Sequence, residues 1–231
     1  MDFKEEVSKL NIELTDAASL KFENYYKKLI AVNEVMNLTA ITDHEEVYNK
    51  HFLDSLSLNL AISNLNNINI CDVGAGAGFP SIPLAIVRDD INVTIIDALN
   101  KRINFLNDLV KELELTNVLA IHRRAEDFAK EKREYFDVVT ARAVARMNVL
   151  DELCLPLVKV GGFFIAMKGN GQEELDEALK GIEFLGGKYI KTVHFELPLN
   201  AGSRDIIIIK KVKETPKKYP RAFAKIKERP L

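Results

Sequence analysis

The stretch Cys71-Asp72-Val73-Gly74-Ala75-Gly76-Ala77-Gly78-Phe79-Pro80 decides the fold. A short apolar run, Ile70–Val73, leads into it, and a helical pattern follows. Pro80 and Pro83 fall in the first helical turn, where a missing N–H costs little. Gly74, Gly76 and Gly78 let the chain turn tightly and approach a ligand that a Cβ would push away. Asp97 ends the next apolar run, Val93–Asp97, 19 residues beyond Gly78. An acid at that place accepts hydrogen bonds from ribose hydroxyls. The spacing is Gly-x-Gly-x-Gly, with Asp72 two residues before the first glycine. A dinucleotide site sets its third glycine one place later and rests the pyrophosphate on the helix N-terminus. S-adenosylmethionine has no phosphate. It needs room for a methionine amine and carboxylate, an acid for the ribose and a platform for adenine. The loop suits that ligand better; a glycine-rich turn without a ligand is the plain alternative.

Outward from the loop, short runs rich in Ile, Val and Phe alternate with helical stretches. The expected strands are Ile70–Val73, Val93–Asp97, Val118–His122, Asp137–Ala141, Phe163–Met167, Tyr189–Phe195 and Ile206–Ile209. Most are separated by enough chain for a crossover helix, which predicts βαβ units and a mainly parallel sheet. The last two lie about ten residues apart, too close for a crossover, and are expected to be antiparallel neighbours. Gly161-Gly162 reads as a turn before the fifth strand. Residues 1–65 read as helices. Asp16 is the expected cap of one through Leu20, Tyr25, Leu29 and Val32. Thr42 and Glu45 have capping-box spacing before another, from Asp43 to about Ile62. Asn64 to Asn69 looks like a connector. The expected division is a helical extension (1–65), a cofactor-binding domain (66–212) and a basic C-terminal tail (213–231).

The 231 residues carry a net charge of -2, which excludes a partner bound by bulk positive charge. The total hides an asymmetry: residues 210–231 hold nine basic and two acidic side chains, a hint of an anionic partner. Two cysteines exclude a disulfide framework and suggest a reducing compartment. No ligand cluster suggests a metal, no apolar leader opens the chain, and no run of membrane-spanning length occurs. The expectation is a cytoplasmic protein and, without a coiled-coil seam, a monomer. His51 and Asp54 share a helix face and read as a packing pair. Ala125-Glu126 follows the third strand, where an adenine edge would lie.

Several segments together resemble one family. They are Asn37-Leu38-Thr39-Ala40-Ile41, His51-x-x-Asp54-Ser55-Leu56, Asp72 to Pro83, Arg124-Ala125-Glu126, Ala141-Arg142-Ala143-Val144-Ala145, Lys168-Gly169 and Tyr219-Pro220-Arg221. The chain resembles the bacterial small-subunit ribosomal RNA guanine-N7 methyltransferases, once named glucose-inhibited division protein B. The glycine loop is generic to class I methyltransferases; the combination with Ala141–Ala145 and the Tyr-Pro-Arg tail is specific. The resemblance implies an α/β, Rossmann-like sheet of seven strands, mostly parallel with the last antiparallel. It implies methyl transfer from S-adenosylmethionine to N7 of a guanine near the decoding centre of 16S rRNA, in the small ribosomal subunit. By matching position, Gly74 and Phe79 line the cofactor, Ala125-Glu126 reads its adenine side and Arg142 sits beside it. After Tyr219-Pro220-Arg221 the family pattern has a glycine and a proline; Ala222 to Leu231 keeps the positive charge without that turn.

Guanine N7 already carries an in-plane lone pair, so such a site needs positioning and electrostatics rather than a general base. Exocyclic amine transfer usually goes with an Asn/Asp-Pro-Pro-aromatic turn, and Thr140-Ala141-Arg142-Ala143 has no proline. Pyrimidine C5 transfer needs a thiolate, and Cys71 and Cys154 read as core residues. Arg142 and Lys168 end expected strands and are the candidates to hold the base or its phosphate. Lys101, Arg102, Arg123, Arg124, Arg146 and the tail form a possible phosphate-binding rim. Two other readings remain open: an NAD- or FAD-binding oxidoreductase, and a non-catalytic RNA-binding ribosome-assembly factor.

Overall fold

In the computed structural model, which describes residues 1–231, each expected apolar run forms a strand. They are β1 (Asn69–Val73), β2 (Asn92–Asp97), β3 (Val118–His122), β4 (Phe136–Arg142), β5 (Val158–Lys168), β6 (Gly187–Glu196) and β7 (Ser203–Lys211). One sheet holds them in the order β3-β2-β1-β4-β5-β7-β6. The first five are mutually parallel, and β7 lies antiparallel to both β5 and β6. The expected α/β sheet is therefore the observed one. The order reverses between β1 and β4, each leading into a helix on a different side. A crevice opens at the carboxyl ends of the strands at such a point, and ligands bind there in this class of sheet. Gly161-Gly162 is not a turn before β5 but lies inside it. A Cβ on Gly162 would come 2.5 Å from the Asp137 carbonyl, so glycine permits the close approach of β4.

The N-terminal segment holds α1 (Phe3–Ser8), α2 (Asp16–Met36), α3 (His44–Val47), α4 (Asp54–Leu56) and α5 (Asn59–Ile62). Two caps differ from expectation. The Thr15 hydroxyl, not Asp16, accepts from the Ala18 amide, and Asp43, not Thr42, accepts from the Glu46 amide. In each case the true cap has extended backbone one residue away from the expected position. Leu20 is 62% exposed, so the buried stripe of α2 runs instead through Ala18, Phe22, Tyr25 and Leu29. The expected single helix from Asp43 to Ile62 is broken by a π-helical turn, Tyr48–Leu53, which carries His51. Such turns are rare and often mark functional positions.

The remaining helices are α6 (Ser81–Val87), α7 (Asn100–Glu112), α8 (Ala125–Glu131), α9 (Met147–Cys154), α10 (Gln172–Phe184) and α11 (Phe223–Glu228). Two apolar clusters result, one on each face of the sheet. The larger joins α2 and its neighbours to α6 and α7, and the other joins α8, α9, α10 and α11. The basic C-terminal residues are folded against this second cluster: Ile226 is fully buried, and the Arg133 guanidinium donates to the carbonyls of Thr215, Pro216 and Tyr219. No helix is long and apolar enough to cross a membrane.

Candidate cofactor and acceptor site

The glycine loop takes its shape from left-handed backbone. Gly74, Gly76 and Gly78 have φ of +75°, +61° and +107°, which side chains rarely adopt. Asp72, fully buried, holds the loop to α6: its Oδ2 accepts from the Ser81 hydroxyl (2.5 Å) and amide (3.3 Å). Burial raises its carboxyl to about 7, against the lowering effect of those two bonds. This arrangement decides between phosphate and sulfonium ligands. A pyrophosphate needs free amides at the start of α6. Here Pro80 and Pro83 have none, the Ser81 amide goes to Asp72, and the Ile82 amide goes to the Gly78 carbonyl. The place a dinucleotide's phosphate would take is already held by a carboxylate.

Beside the loop lies a cavity of about 380 Å³, within the usual range for a small-ligand site. Gly74, Asp97, Ala125 and Glu126 line it, as the sequence places them. Asp97 is almost fully buried. One carboxylate oxygen accepts from the Leu99 amide (2.8 Å), and the other stands 3.4 Å from the Arg102 guanidinium. That leaves it acceptor capacity for ribose hydroxyls. Gly76, whose Cβ would meet nothing within 4 Å, and Gly78 lie outside the wall. A Cβ on Gly78 would strike Ile82 and the Tyr25 hydroxyl, so its role is to let α2 and α6 close on the loop. The residues fit S-adenosylmethionine: an acid for the ribose, small residues near the reacting end, and no phosphate cradle.

A second cavity, of about 720 Å³, adjoins the first across Ala143 and Val144, which line both. Arg142 lines this cavity rather than the first. Its guanidinium donates to Asp54 Oδ2 at 2.7 Å, and Asp54 Oδ1 forms an ion pair with Arg204 at 3.2 Å. One buried carboxylate thus ties two arginines from distant strands. Phe79 is the hub beneath them. Its ring stacks on Tyr25 (5.5 Å between centroids) and on His51 (4.7 Å), with the Arg142 guanidinium 4.9 Å from its centre. The Tyr25 hydroxyl donates to the Ala77 carbonyl at 2.6 Å, which pins α2 to the glycine loop. Phe79 therefore does not line the first cavity; it joins the glycine loop to residues of the second. Lys168 also lines the second cavity, but its Nζ is held by the Ala145 carbonyl (2.6 Å) and by Glu174 (2.7 Å). Glu174 accepts as well from the Met147 amide, so this trio fixes the loop between the two cavities.

The expected rim is largely committed to acids: Arg102 to Asp97, Arg123 to Glu131, Arg124 to Glu126 and Arg146 to Glu177. The His51–Asp54 pair does not form. The sequence therefore missed Asp54 and Arg204 as site residues, whose partners lie 88 positions or more away or on another strand. Cys71 and Cys154 are buried, and burial pushes both thiols well above their usual range, so neither is a thiolate nucleophile.

His51 provides a pH test. Burial, and next the Arg142 charge, lower its ring to about 4; Thr39 Oγ1 sits 2.8 Å from Nε2. A folded value below the unfolded one means that protonation favours unfolding. The stabilisation is complete above about pH 6.5 and is lost as pH falls towards 4, on the order of 2–3 kcal/mol at most. The His51 ring resonance is expected to stay unshifted from pH 8 to 5. In denaturant melts, His51→Phe is expected to flatten the acid side of the stability curve.

The comparisons with known proteins agree with this geometry. The family model described as rRNA small subunit methyltransferase G matches residues 18–205. A protein of that type from Staphylococcus saprophyticus, named ribosomal RNA small subunit methyltransferase G, is 55% identical over 94% of this chain and 92% of its own length. One from Staphylococcus haemolyticus is 56% identical over 94% and 91%. Among solved structures, a SAM-dependent O-methyltransferase of Thermotoga maritima matches with a TM-score of 0.53 at 16% identity, over 81% of this chain and 73% of its own. TYW2 of M. jannaschii, in complex with AdoMet, matches at 0.52 and 18%, over 64% and 70%. These two likenesses speak for the fold. The family match spans most of the chain and includes the glycine loop, Asp54, Arg142 and Arg204, and the chain belongs to the rRNA small subunit methyltransferase G family.

Proposed function

We propose that this chain transfers a methyl group from S-adenosylmethionine to N7 of a guanine near the decoding centre of 16S rRNA, acting as a cytoplasmic monomer on the small subunit. The cofactor supplies an electrophilic methyl on its sulfonium. The observation that carries the acceptor assignment is the second cavity. Its two buried-side carboxylates, Asp54 and Glu174, are both held by cations, and no thiolate is near. His51 lines it too, but its Nε2 is held by Thr39 Oγ1 and its Nδ1 is buried, so no group there is placed to remove a proton from an exocyclic amine or to add to a pyrimidine ring. An N7 lone pair asks for neither. Arg142 has five N–H donors, one of which is used on Asp54, and the remainder can reach O6 of a guanine while sparing N7. Val144 and Ala143, shared by both cavities, lie where the sulfonium and the acceptor would meet.

The test is transfer from radiolabelled S-adenosylmethionine to small subunits from a strain lacking this gene, with the label mapped by borohydride and aniline cleavage, which cuts at N7-methylguanine. One cut near the decoding centre is expected. Label without a cut would keep the methyltransferase and discard the N7 assignment. No label on subunits, naked RNA or assembly intermediates would favour an assembly factor.

A further inference from the structure

Phe223 belongs to the C-terminal segment, yet it lines the cofactor cavity and is the one aromatic residue that does so. It is the first residue of α11, which packs on α9; α9 in turn packs on α8, whose first two residues are Ala125 and Glu126. Phe223 thus lines the same cavity as Ala125 and Glu126 of α8 and Leu153 of α9, on which α11 packs. Its position is fixed by its neighbours. Arg221, two residues earlier, is locked to the fully buried Glu152 by its amide and its guanidinium. Ile226, three residues later, is fully buried. Phe223 itself is 37% exposed. A large aromatic face is thus held at the edge of a nucleoside-sized cavity without being needed to fill the core.

We propose that Phe223 is a cofactor-contacting residue that covers one face of the adenine ring. The inference rests on S-adenosylmethionine occupying this cavity. Aromatic rings stack on any base because every base has a π-face, and the ordering cost is small where the ring is already held in place. The Leu153 wall and the tail anchor are consecutive on one helix, since Glu152 holds Arg221 while Leu153 faces the cavity. The basic C-terminal segment can in this way supply a wall of the cofactor site.

The experiment is calorimetric titration of the full chain with S-adenosylhomocysteine and, separately, with adenosine, which carries the ring without the amino acid. Phe223→Ala is expected to weaken both by the same factor, about tenfold. Phe223→Tyr keeps the π-face and is expected to bind like the wild type; Phe223→Leu keeps most of the bulk and is expected to bind as weakly as the alanine variant. Wild-type affinity in Phe223→Leu would mean packing rather than stacking and would overturn the proposal, even if Phe223→Ala folded poorly. So would a loss for S-adenosylhomocysteine with none for adenosine. Binding indifferent to all three substitutions overturns this inference alone, whereas a wild-type chain that binds neither ligand overturns the cofactor reading with it.

Discussion

Arg142→Ala is expected to lower the rate of methyl transfer by about 10²–10³-fold, the usual effect of removing one preorganised donor, while S-adenosylhomocysteine binds as in the wild type. The separation follows from geometry, because Arg142 lines the second cavity, proposed for the acceptor, and not the first. Its orientation is over-determined: Asp54 holds one N–H, and Phe79 lies under its face. An arginine so fixed meets a planar base without reorganising at the moment of reaction. Arg142→Lys keeps the charge but loses the planar fork and the stack, so it is expected to rescue little. The substitution also strips Asp54 of its closest cation. Arg204 stays at 3.2 Å, so the stability loss is expected at or below the low end of the roughly 3–5 kcal/mol typical of a broken buried pair. Steady-state kinetics, calorimetric cofactor titration and urea melts give the three readouts. A rise in KM with kcat unchanged would make Arg142 a holder of the substrate's ground state only. Unchanged transfer would remove it from the site.

The parts legible in the sequence are those set by local rules. The Gly74–Gly78 loop needs left-handed backbone, and glycine is the residue that permits it. Strands buried on both faces read as apolar runs, which exposed β1, β2 and β4 directly. Asp97 follows from its place at a strand end. The acceptor site was legible only in part, because it is assembled across the chain. Phe79 belongs to the glycine motif, but its stacking on Tyr25 and His51 brings together residues 54 and 28 positions apart. His51 and Asp54 look like a helical pair at α-helical spacing. The π-turn ends between them, and each finds a separate partner. Lys168 was recognisable as a strand-end cation; that it holds the Ala145 loop rather than standing free depends on Glu174 from the next helix. The tail reads as a charge run, and of its apolar residues only Tyr219 and Ile226 are buried. Charge patterning reports what faces solvent, and it says nothing of a lone isoleucine that docks a helix.

Glu152→Ala is expected to cost about 3–5 kcal/mol and to lower Tm by roughly 10 °C. Glu152 is fully buried and accepts from the Arg221 amide at 2.7 Å and from its guanidinium at 2.6 and 2.9 Å. Alanine would leave that amide and a mostly buried cation without their partner. Four charge-assisted bonds converge on one carboxylate, so Glu152→Gln, which keeps the shape but not the charge, is expected to recover less than half of the loss. Arg221→Ala is the informative comparison, because it strands the buried carboxylate instead of the exposable arginine, whose side chain is 24% accessible. It is therefore expected to be at least as damaging as Glu152→Ala. Double substitution to alanine is expected to lose less than the sum, since neither charge is then left alone. The measurement is a double-mutant cycle in urea at pH 7. Additive losses would show that the tail is held by its apolar contacts through Ile226, with the ion pair only lying alongside. A coupling above about 1 kcal/mol would show the ion pair itself fixing the tail against α9, one residue from the Leu153 wall of the cofactor cavity.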